Sequence, residues 1–438
     1  MVTARTGSGK SPGRGLDGLD AVFDDERAVA NAGLLLPATL AERLGLEALC
    51  DQTVKLGTRP GAARPGRKVL SIVAAMLLGA DSIDDCAILR TGQTEAVLGH
   101  RAMAPSTIGT FLRSFSFGHV RQLDRMSELA LTRAWAAGAG PGEEPMTIDI
   151  DSTICQVHGY QKQGAAYGHT RTLGYHPVLA TRADTGEVLH LRQRTGRANT
   201  ARGAERFVNE LAGRVRRAGA TGTLTLRADS GFWSAKVIGA CQRHQIRFSI
   251  TVRSTEPVRT AIATIPEAAW QEIPYTKGGV AQVAETAHQG HRLIVRRTRI
   301  EDEQIELVPS WRYHAFLTDR PGEAVPLDAD HRAHAVCELA IRDIKAEGLA
   351  HTPSGRFGAN SAWLVIAGLA HNLVRWLAAI GLATSGPLVA ETVRRRLLCL
   401  PGRITRSGRR TRLHLPHSWP WQEGFLAALA RLRALCAP

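Results

Sequence analysis

The chain has 438 residues, with 55 Lys and Arg against 40 Asp and Glu, a formal excess of +15. Its 44% apolar and 22% charged content is that of a soluble globular protein, and the length predicts roughly two to four domains. The charge favours an anionic partner, and RNA, DNA or an anionic membrane would each fit on charge alone. The seven cysteines are scattered, and no pair has the spacing of a zinc ribbon or finger, which leaves buried thiols in a reducing cytoplasm. Only seven lysines occur (Lys10, Lys55, Lys68, Lys162, Lys236, Lys277 and Lys345). The cations are therefore nearly all arginine, which suits bidentate phosphate contacts. A biased host nucleotide composition would produce the same enrichment.

Residues 1–20 are Gly, Ser and charge, are expected to be disordered, and carry no apolar secretion signal. Residues 21–140 read as helical: an apolar run at 69–78, then Pro105 and Ser106 opening a capped helix. Residues 137–145, rich in Gly and Pro, read as a linker. From Met146 the period changes to two. Strands are expected over 146–157, 176–182, 188–194, 223–227 and 246–252, with a hairpin turn at Asp184-Thr185-Gly186 and helices at about 200–218 and 234–244. That order predicts an α/β fold with a mixed sheet flanked by helices over 146–252. Residues 253–320 read as a β-rich insertion. A helix over 328–350 and another near 361–380 place the second part of the core at 325–385. The apolar stretch 363–383 holds His371, Asn372 and Arg375, which makes it a buried helix rather than a membrane span. Residues 386–438 form a basic C-terminal region.

Three acidic signals stand on these elements. Asp149 and Asp151 share one strand face, Asp229 ends the strand over 223–227, and Glu338 lies on the helix over 328–350. Neighbouring parallel strands would bring Asp151 and Asp229 within a few ångströms, where bare carboxylates repel. A hard divalent cation such as Mg²⁺ removes that repulsion. At about 100° per residue, His331, His334, Glu338, Arg342 and Lys345 fall within an arc of roughly 80°. Ala333, Val336, Ala340 and Ile344 form the opposite, core-packing stripe. A carboxylate with cations one and two turns on can divide the labour between metal and phosphate.

Each residue also has a plainer reading. An Asp at a strand end is commonly a turn or cap residue, and Asp184 and Asp330 are read that way. Glu338 with Arg342 is an ordinary i,i+4 pair, and the basic tail is equally a solvated face. His331 and His334 read as hydrogen-bonded core or surface histidines. A helix face with His331, His334 and Glu338 also has the ligand types of a zinc hydrolase, but it lacks the His-Glu-x-x-His spacing and leaves both aspartates unexplained.

Taken jointly, these residues resemble the DDE-type transposases of bacterial insertion sequences, which have a ribonuclease-H-like core. The nearest likeness is the group with a Tyr-x2-Arg-x3-Glu-x6-Lys signature. Glu338 and Lys345 keep the Glu-x6-Lys spacing, while His331 and His334 stand at the Tyr and Arg positions. Asp149-Ile150-Asp151-Ser152-Thr153, residues 161–168, Leu173-Gly174-Tyr175-His176-Pro177, residues 227–233, Asn360-Ser361-Ala362-Trp363 and His371-Asn372-Leu373 carry the same resemblance, which spans about residues 30–430. It implies a site of Asp151, Asp229 and Glu338 holding two Mg²⁺ or Mn²⁺ ions, with Asp149 the competing first carboxylate and Lys345 on phosphate. It implies metal-dependent cleavage at transposon ends and strand transfer into target DNA. It further implies terminal inverted repeats gripped by the helical N-terminal domain and basic tail, a homodimer on DNA, no membrane partner, and a cytoplasmic, nucleoid-associated location. Arg332, Arg342, Arg403, Arg406, Arg409 and Arg410 are the candidate DNA contacts. Trp270 and Trp311 are candidate stacking residues in the insertion, with burial in a core as the plainer fate. A metal-dependent nuclease on the same fold, or an inactive DNA-binding derivative of a transposon, are the alternatives.

Overall fold

The structure, a computed structural model, describes residues 16, 19–159, 161–168, 171–300, 311–384, 386 and 388–436. The expected disorder of residues 1–20 therefore falls almost wholly outside the described residues. After a short strand β1 (Ala28–Val29), the N-terminal third is helical: α1 (Leu35–Arg43), α2 (Leu46–Thr53), α3 (Pro65–Leu77), α4 (Thr94–Leu98), α5 (Pro105–Arg113) and α6 (Phe117–Ala134). Pro105 opens α5 at a position where its missing N–H costs nothing. The Ser116 and His119 side chains cap α6 reciprocally. The expected linker opens with a turn: Gly138 takes φ 105°, Gly140 lies against Trp135, and the Trp135 indole donates to the buried Glu187 carboxylate at 3.0 Å.

The α/β core begins with β2 (Met146–Ser152). A small three-stranded sheet, β3 (Cys155–Gln156), β4 (Ala166–Tyr167) and β5 (Leu173–Tyr175), interrupts it before β6 (Val178–Arg182) and β7 (Val188–Arg192). Then come α7 (Ala204–Ala218), β8 (Leu224–Ala228), α8 (Ala235–Arg243), β9 (Ile246–Thr251), α9 (Glu256–Ala263), β10 (Gln271–Ile273), β11 (Gly279–His288), β12 (His291–Ile300) and β13 (Arg312–Thr318). The main sheet has nine strands in the order β10-β11-β12-β13-β9-β8-β2-β6-β7. β8 is parallel to both β2 and β9, and β13 runs antiparallel to β9. The β-rich segment is thus a continuation of the core sheet through the β9–β13 ladder. It keeps its own small apolar cluster around Ile273, Val283, Ile294 and Phe316. Every residue of β8 is buried, as a strand covered on both faces must be.

The remaining helices are α10 (Ala324–Arg332), α11 (Val336–Ile344), α12 (Phe357–Trp376), α13 (Ala390–Val393) and, after the hairpin β14 (Gly402–Ser407) and β15 (Arg410–His414), α14 (Gln422–Ala434). The helix expected over 328–350 is broken. A 3₁₀ turn at Ala333–Ala335 separates α10 from α11, and α11 ends in a kink at Lys345–Leu349, where Gly348 has φ 112°. Ala333 is consequently exposed rather than part of a core stripe.

Helix α12 with its continuation to Leu382 is long and apolar enough to cross a membrane, and 89% of its most apolar window is buried inside the protein. Its polar residues are all engaged. Asn372 brackets Val188 through both backbone groups at 2.7 and 2.8 Å, and His371 faces the Glu347 carboxylate at 3.0 Å. Arg375 meets Asp343 at 2.6 Å. One continuous apolar core runs from Val29 through the N-terminal helices, the sheet and α12 to Leu432. The basic C-terminal region is not a loose tail: β14 pairs with β1, closing the chain's two ends into one three-stranded sheet.

Candidate active site

The parallel β2–β8 ladder pairs Ile150 with Ala228. The next residues are Asp151, still on β2, and Asp229, just past the end of β8. Adjacent strands lie roughly 4.8 Å apart, so the register itself sets the two carboxylates side by side at the C-terminal ends of central strands. Backbone geometry orients each one. Asp151 Oδ1 accepts from the Ser152 N–H at 2.6 Å, and Asp229 Oδ1 accepts from the Gly231 N–H at 3.0 Å, an Asx turn. Asp229 and Asp151 are both half-buried.

Burial pushes the Asp151 carboxyl up to about 6, and the negative charges of Asp229 and Glu338 push in the same direction; the Ser152 N–H and His334 oppose them. Glu338, in the first turn of α11, is near enough for its charge to act on Asp151. It is exposed and has no hydrogen-bond or ion-pair partner among the described residues. Among those residues, no three of His, Cys, Asp and Glu close on one point as metal ligands do. The groups whose negative charges act together at Asp151 are nonetheless all carboxylates, and oxygen donors of that kind fit hard Mg²⁺ or Mn²⁺. Lys345, half-buried at the end of α11, lies near enough to Cys155 to oppose the burial that raises that thiol to about 12.

Asp149 has a different role. It is wholly buried and opposes Arg227 in the ladder. Its two oxygens accept from Arg227 Nε and Nη2 at 2.7 and 2.8 Å. His334 Nδ1 stands 2.8 Å from Asp149 Oδ1 and, since a carboxylate accepts, donates to it. Arg227 reaches on to Asp330 at 3.3 Å, and Asp330 also pairs with Arg320. Asp330, read from sequence as a turn or cap residue, is thus a bridge between two arginines. Nothing in the sequence paired Asp149 with Arg227. The available signal was one arginine inside the apolar run of β8.

The two histidines part company. His331 stacks on Phe316 with centroids 4.0 Å apart, and its ring nitrogens lie 2.8 Å from the Ser249 hydroxyl and 2.9 Å from that of Thr251. Burial pushes it down to about 3, so it is a neutral core group pinning α10 to the sheet and does not share an open face with Glu338. The Arg332 guanidinium is held by Asp328 at 2.9 Å, whereas Arg342 is exposed.

Trp270 and Trp311 are both half-buried, neither core residues nor free platforms. The Arg297 guanidinium lies 4.2 Å from the Trp270 ring and 4.3 Å from that of Trp311, Arg299 lies 5.0 Å from the Trp311 ring, and Tyr313 stands 6.2 Å from Trp270, so both indoles are already engaged by cation–π and ring contacts. In the C-terminal hairpin, Arg403 faces His414 and Ser407 faces Arg410. Alternation then sets Arg403, Arg410 and Arg412 on one side and Arg406 beside the buried Ile404 on the other. Arg409 lies in the turn, and all five arginines are exposed.

The sequence matches the family described as transposase DDE domain, group 1, over residues 16–437, nearly the whole chain. The protein belongs to that family of DDE transposases. No curated protein matches it. Among solved structures, it is similar to a piggyBac transposase synaptic complex with hairpin DNA, seen by cryo-electron microscopy. The identity is 13% and the TM-score 0.41, over 85% of this chain and 80% of that one.

Proposed function

We propose that the protein cuts DNA at transposon ends and joins the freed 3′-hydroxyl to target DNA, on a ribonuclease-H-like core. The observation carrying this reading is the register that sets Asp151 beside Asp229, with Glu338 near enough for its charge to act on Asp151. Asp151 and Asp229 would hold two Mg²⁺ or Mn²⁺ ions, and Glu338, exposed and unpaired, would complete the ligand set. Bound there, the ions would supply Lewis-acid activation of the attacking oxygen and charge neutralisation at the leaving one. The chain's own groups do the rest. Lys345 contacts a phosphate oxygen beside the cut. The Asp149–His334 hydrogen bond fixes the imidazole against the first carboxylate strand. Arg332, beyond its pair with Asp328, and the exposed Arg342 are further candidate phosphate contacts. Trp270 and Trp311 would stack on an unpaired base only by exchanging their arginine contacts for it. Two DNA ends must meet, which favours a homodimer on DNA.

The test is a plasmid carrying the gene with its native flanking DNA, incubated with purified protein. Mg²⁺ should yield breaks at both ends and joining of pre-cut 3′-hydroxyl ends, and EDTA should stop both. Absence of any metal-dependent break removes the reading, and breaks without joining reduce it to a nuclease.

The hairpin arginines would bind phosphate without regard to sequence. Replacing Arg410 and Arg412 with Ala should weaken all DNA ligands alike. The slope of log K against log salt should become shallower by about 0.9 per lost phosphate contact, as read by fluorescence anisotropy from low to moderate salt. An unchanged slope would show that this face does not meet DNA.

A further inference from the structure

The small sheet β3–β5–β4 grows directly out of the carboxylate end of the core. β3 follows β2 by two residues, and β5 leads into β6, whose Leu179 opposes Asp151. Across this sheet one row runs Val157, Leu173, Tyr167: Val157 N–H donates to the Leu173 carbonyl, and Leu173 opposes Tyr167. Val157 is buried, Leu173 half-buried, and Tyr167 is 58% exposed on the open edge strand. An apolar row that ends in a solvent-facing phenol on a rigid edge has a ring to offer.

The sheet is held rigidly. A Cβ on Gly196 would stand 2.2 Å from the Gly174 carbonyl oxygen and 2.3 Å from that of Ala166, so only glycine permits the turn after β7 to lie against both strands. That turn is built around buried Arg194, which donates to the His176, Asn199 and Thr200 carbonyls at 2.8, 3.1 and 3.0 Å. Thr200 in turn touches both carboxylate-bearing strand ends. Its hydroxyl lies 3.4 Å from that of Ser152, and its side chain abuts Gly231. A continuous shelf therefore leads from the carboxylates, over Thr200, to Tyr167.

Its charge is one-sided. No Asp or Glu occurs in residues 152–183 or 188–204, while Arg171, Arg197 and Arg202 are exposed there. An acid-free, arginine-flanked shelf leaving a cluster of carboxylates fits an anionic polymer whose one phosphate sits at the cluster. Six residues separate Leu179, opposite Asp151, from Leu173, opposite Tyr167. Since β5 and β6 are joined through His176 and Pro177, that is at most about 20 Å of chain, or no more than about six nucleotide steps at the duplex rise of ~3.4 Å. We infer that this shelf carries the DNA strand away from the cut phosphate and that Tyr167 stacks on an unpaired base several nucleotides along it. The inference rests on the DNA-processing reading above and extends it to a specific contact.

The test is fluorescence anisotropy in EDTA, with a labelled fork whose single-stranded arm is oligothymidylate. Tyr167→Ala should bind it roughly ten-fold more weakly, as expected for one lost aromatic–base stack, and Tyr167→Phe should bind like the wild type. Making the arm abasic at the stacked position should weaken the wild type by the same factor and leave Tyr167→Ala unaffected. Binding of Tyr167→Ala within two-fold of the wild type overturns the inference, as does a defect that persists in full on the abasic arm. Because this readout needs no metal, a protein that binds through Tyr167 but never cuts with Mg²⁺ keeps the shelf and loses the transposase activity. One that cuts, with an unaffected Tyr167→Ala, does the reverse.

Discussion

Asp151→Asn is expected to fold at least as stably as the wild type and to cut no DNA, whereas Asp149→Ala is expected to lose about 3–5 kcal/mol of folding stability. The two residues lie two apart on one strand face, yet their surroundings are opposite. Asp149 answers a buried Arg227, 2% exposed, through two hydrogen bonds, and removing it leaves that cation only Asp330, at 3.3 Å, as a charge partner. Among the described residues, no cation is bonded to Asp151. Its carboxyl is pushed up from an ordinary 3.8 to about 6, so ionising it in the folded protein costs free energy. For a carboxyl raised in this way, the cost is absent below the ordinary value, grows through the interval, and is present in full above about 6. At neutral pH and without metal, an amide at this position removes that cost. Cleavage should nonetheless fall by roughly 10³-fold or more, because the oxygen donors that would support the ions are gone. Asp229→Asn and Glu338→Gln should likewise lose cleavage, with DNA binding retained. Urea titrations in EDTA and cleavage assays in Mg²⁺ separate the two classes. An active Asp151→Asn, or an Asp149→Ala of wild-type stability, would reverse the assignment.

The competition between these two aspartates shows where the sequence stops being informative. Asp151 and Asp229 were visible as acids closing apolar, period-two runs, because strand ends follow local rules. The partner that separates Asp149 from Asp151 is Arg227, 78 positions away, and a cross-strand pair at that range leaves no local pattern. The helical wheel failed for a related reason. Helical spacing alone aligned His331 and His334 with Glu338, but the 3₁₀ turn at Ala333–Ala335 rotates the two segments. Tertiary partners then decide: His331 goes to Phe316, Ser249 and Thr251, and His334 to Asp149. The continuity of the nine-stranded sheet depends on β13 finding β9, a long-range choice hidden behind a segment that reads as separate β structure. The hairpin β14–β15 did carry a local signal, Ser407-Gly408-Arg409-Arg410, with Gly408 at φ 58°. The density of arginine drew attention to charge and away from that turn.

What holds Glu338 in place leads to the second large effect. Asp343 lies on α11 five residues after Glu338, 9% exposed in its side chain, against Arg375 of α12 at 4%. Asp343→Ala or Arg375→Ala leaves one buried charge unanswered and should cost about 3–5 kcal/mol. A buried pair is often replaceable by apolar groups of similar volume at little net cost. The double variant Asp343→Leu with Arg375→Met should therefore recover most of the stability that either alanine variant loses. Cleavage adds a second readout. If the pair serves only to seat α11 against α12, the double variant should cut DNA at close to the wild-type rate, because an apolar contact seats the helix as well. If the charges also tune the field at Glu338, stability will return without activity. Denaturant midpoints measured beside Mg²⁺-dependent cleavage on the same preparations distinguish the two outcomes. Alanine variants that lose less than about 1 kcal/mol, the range of an exposed pair, would show that α11 is held by its apolar face alone.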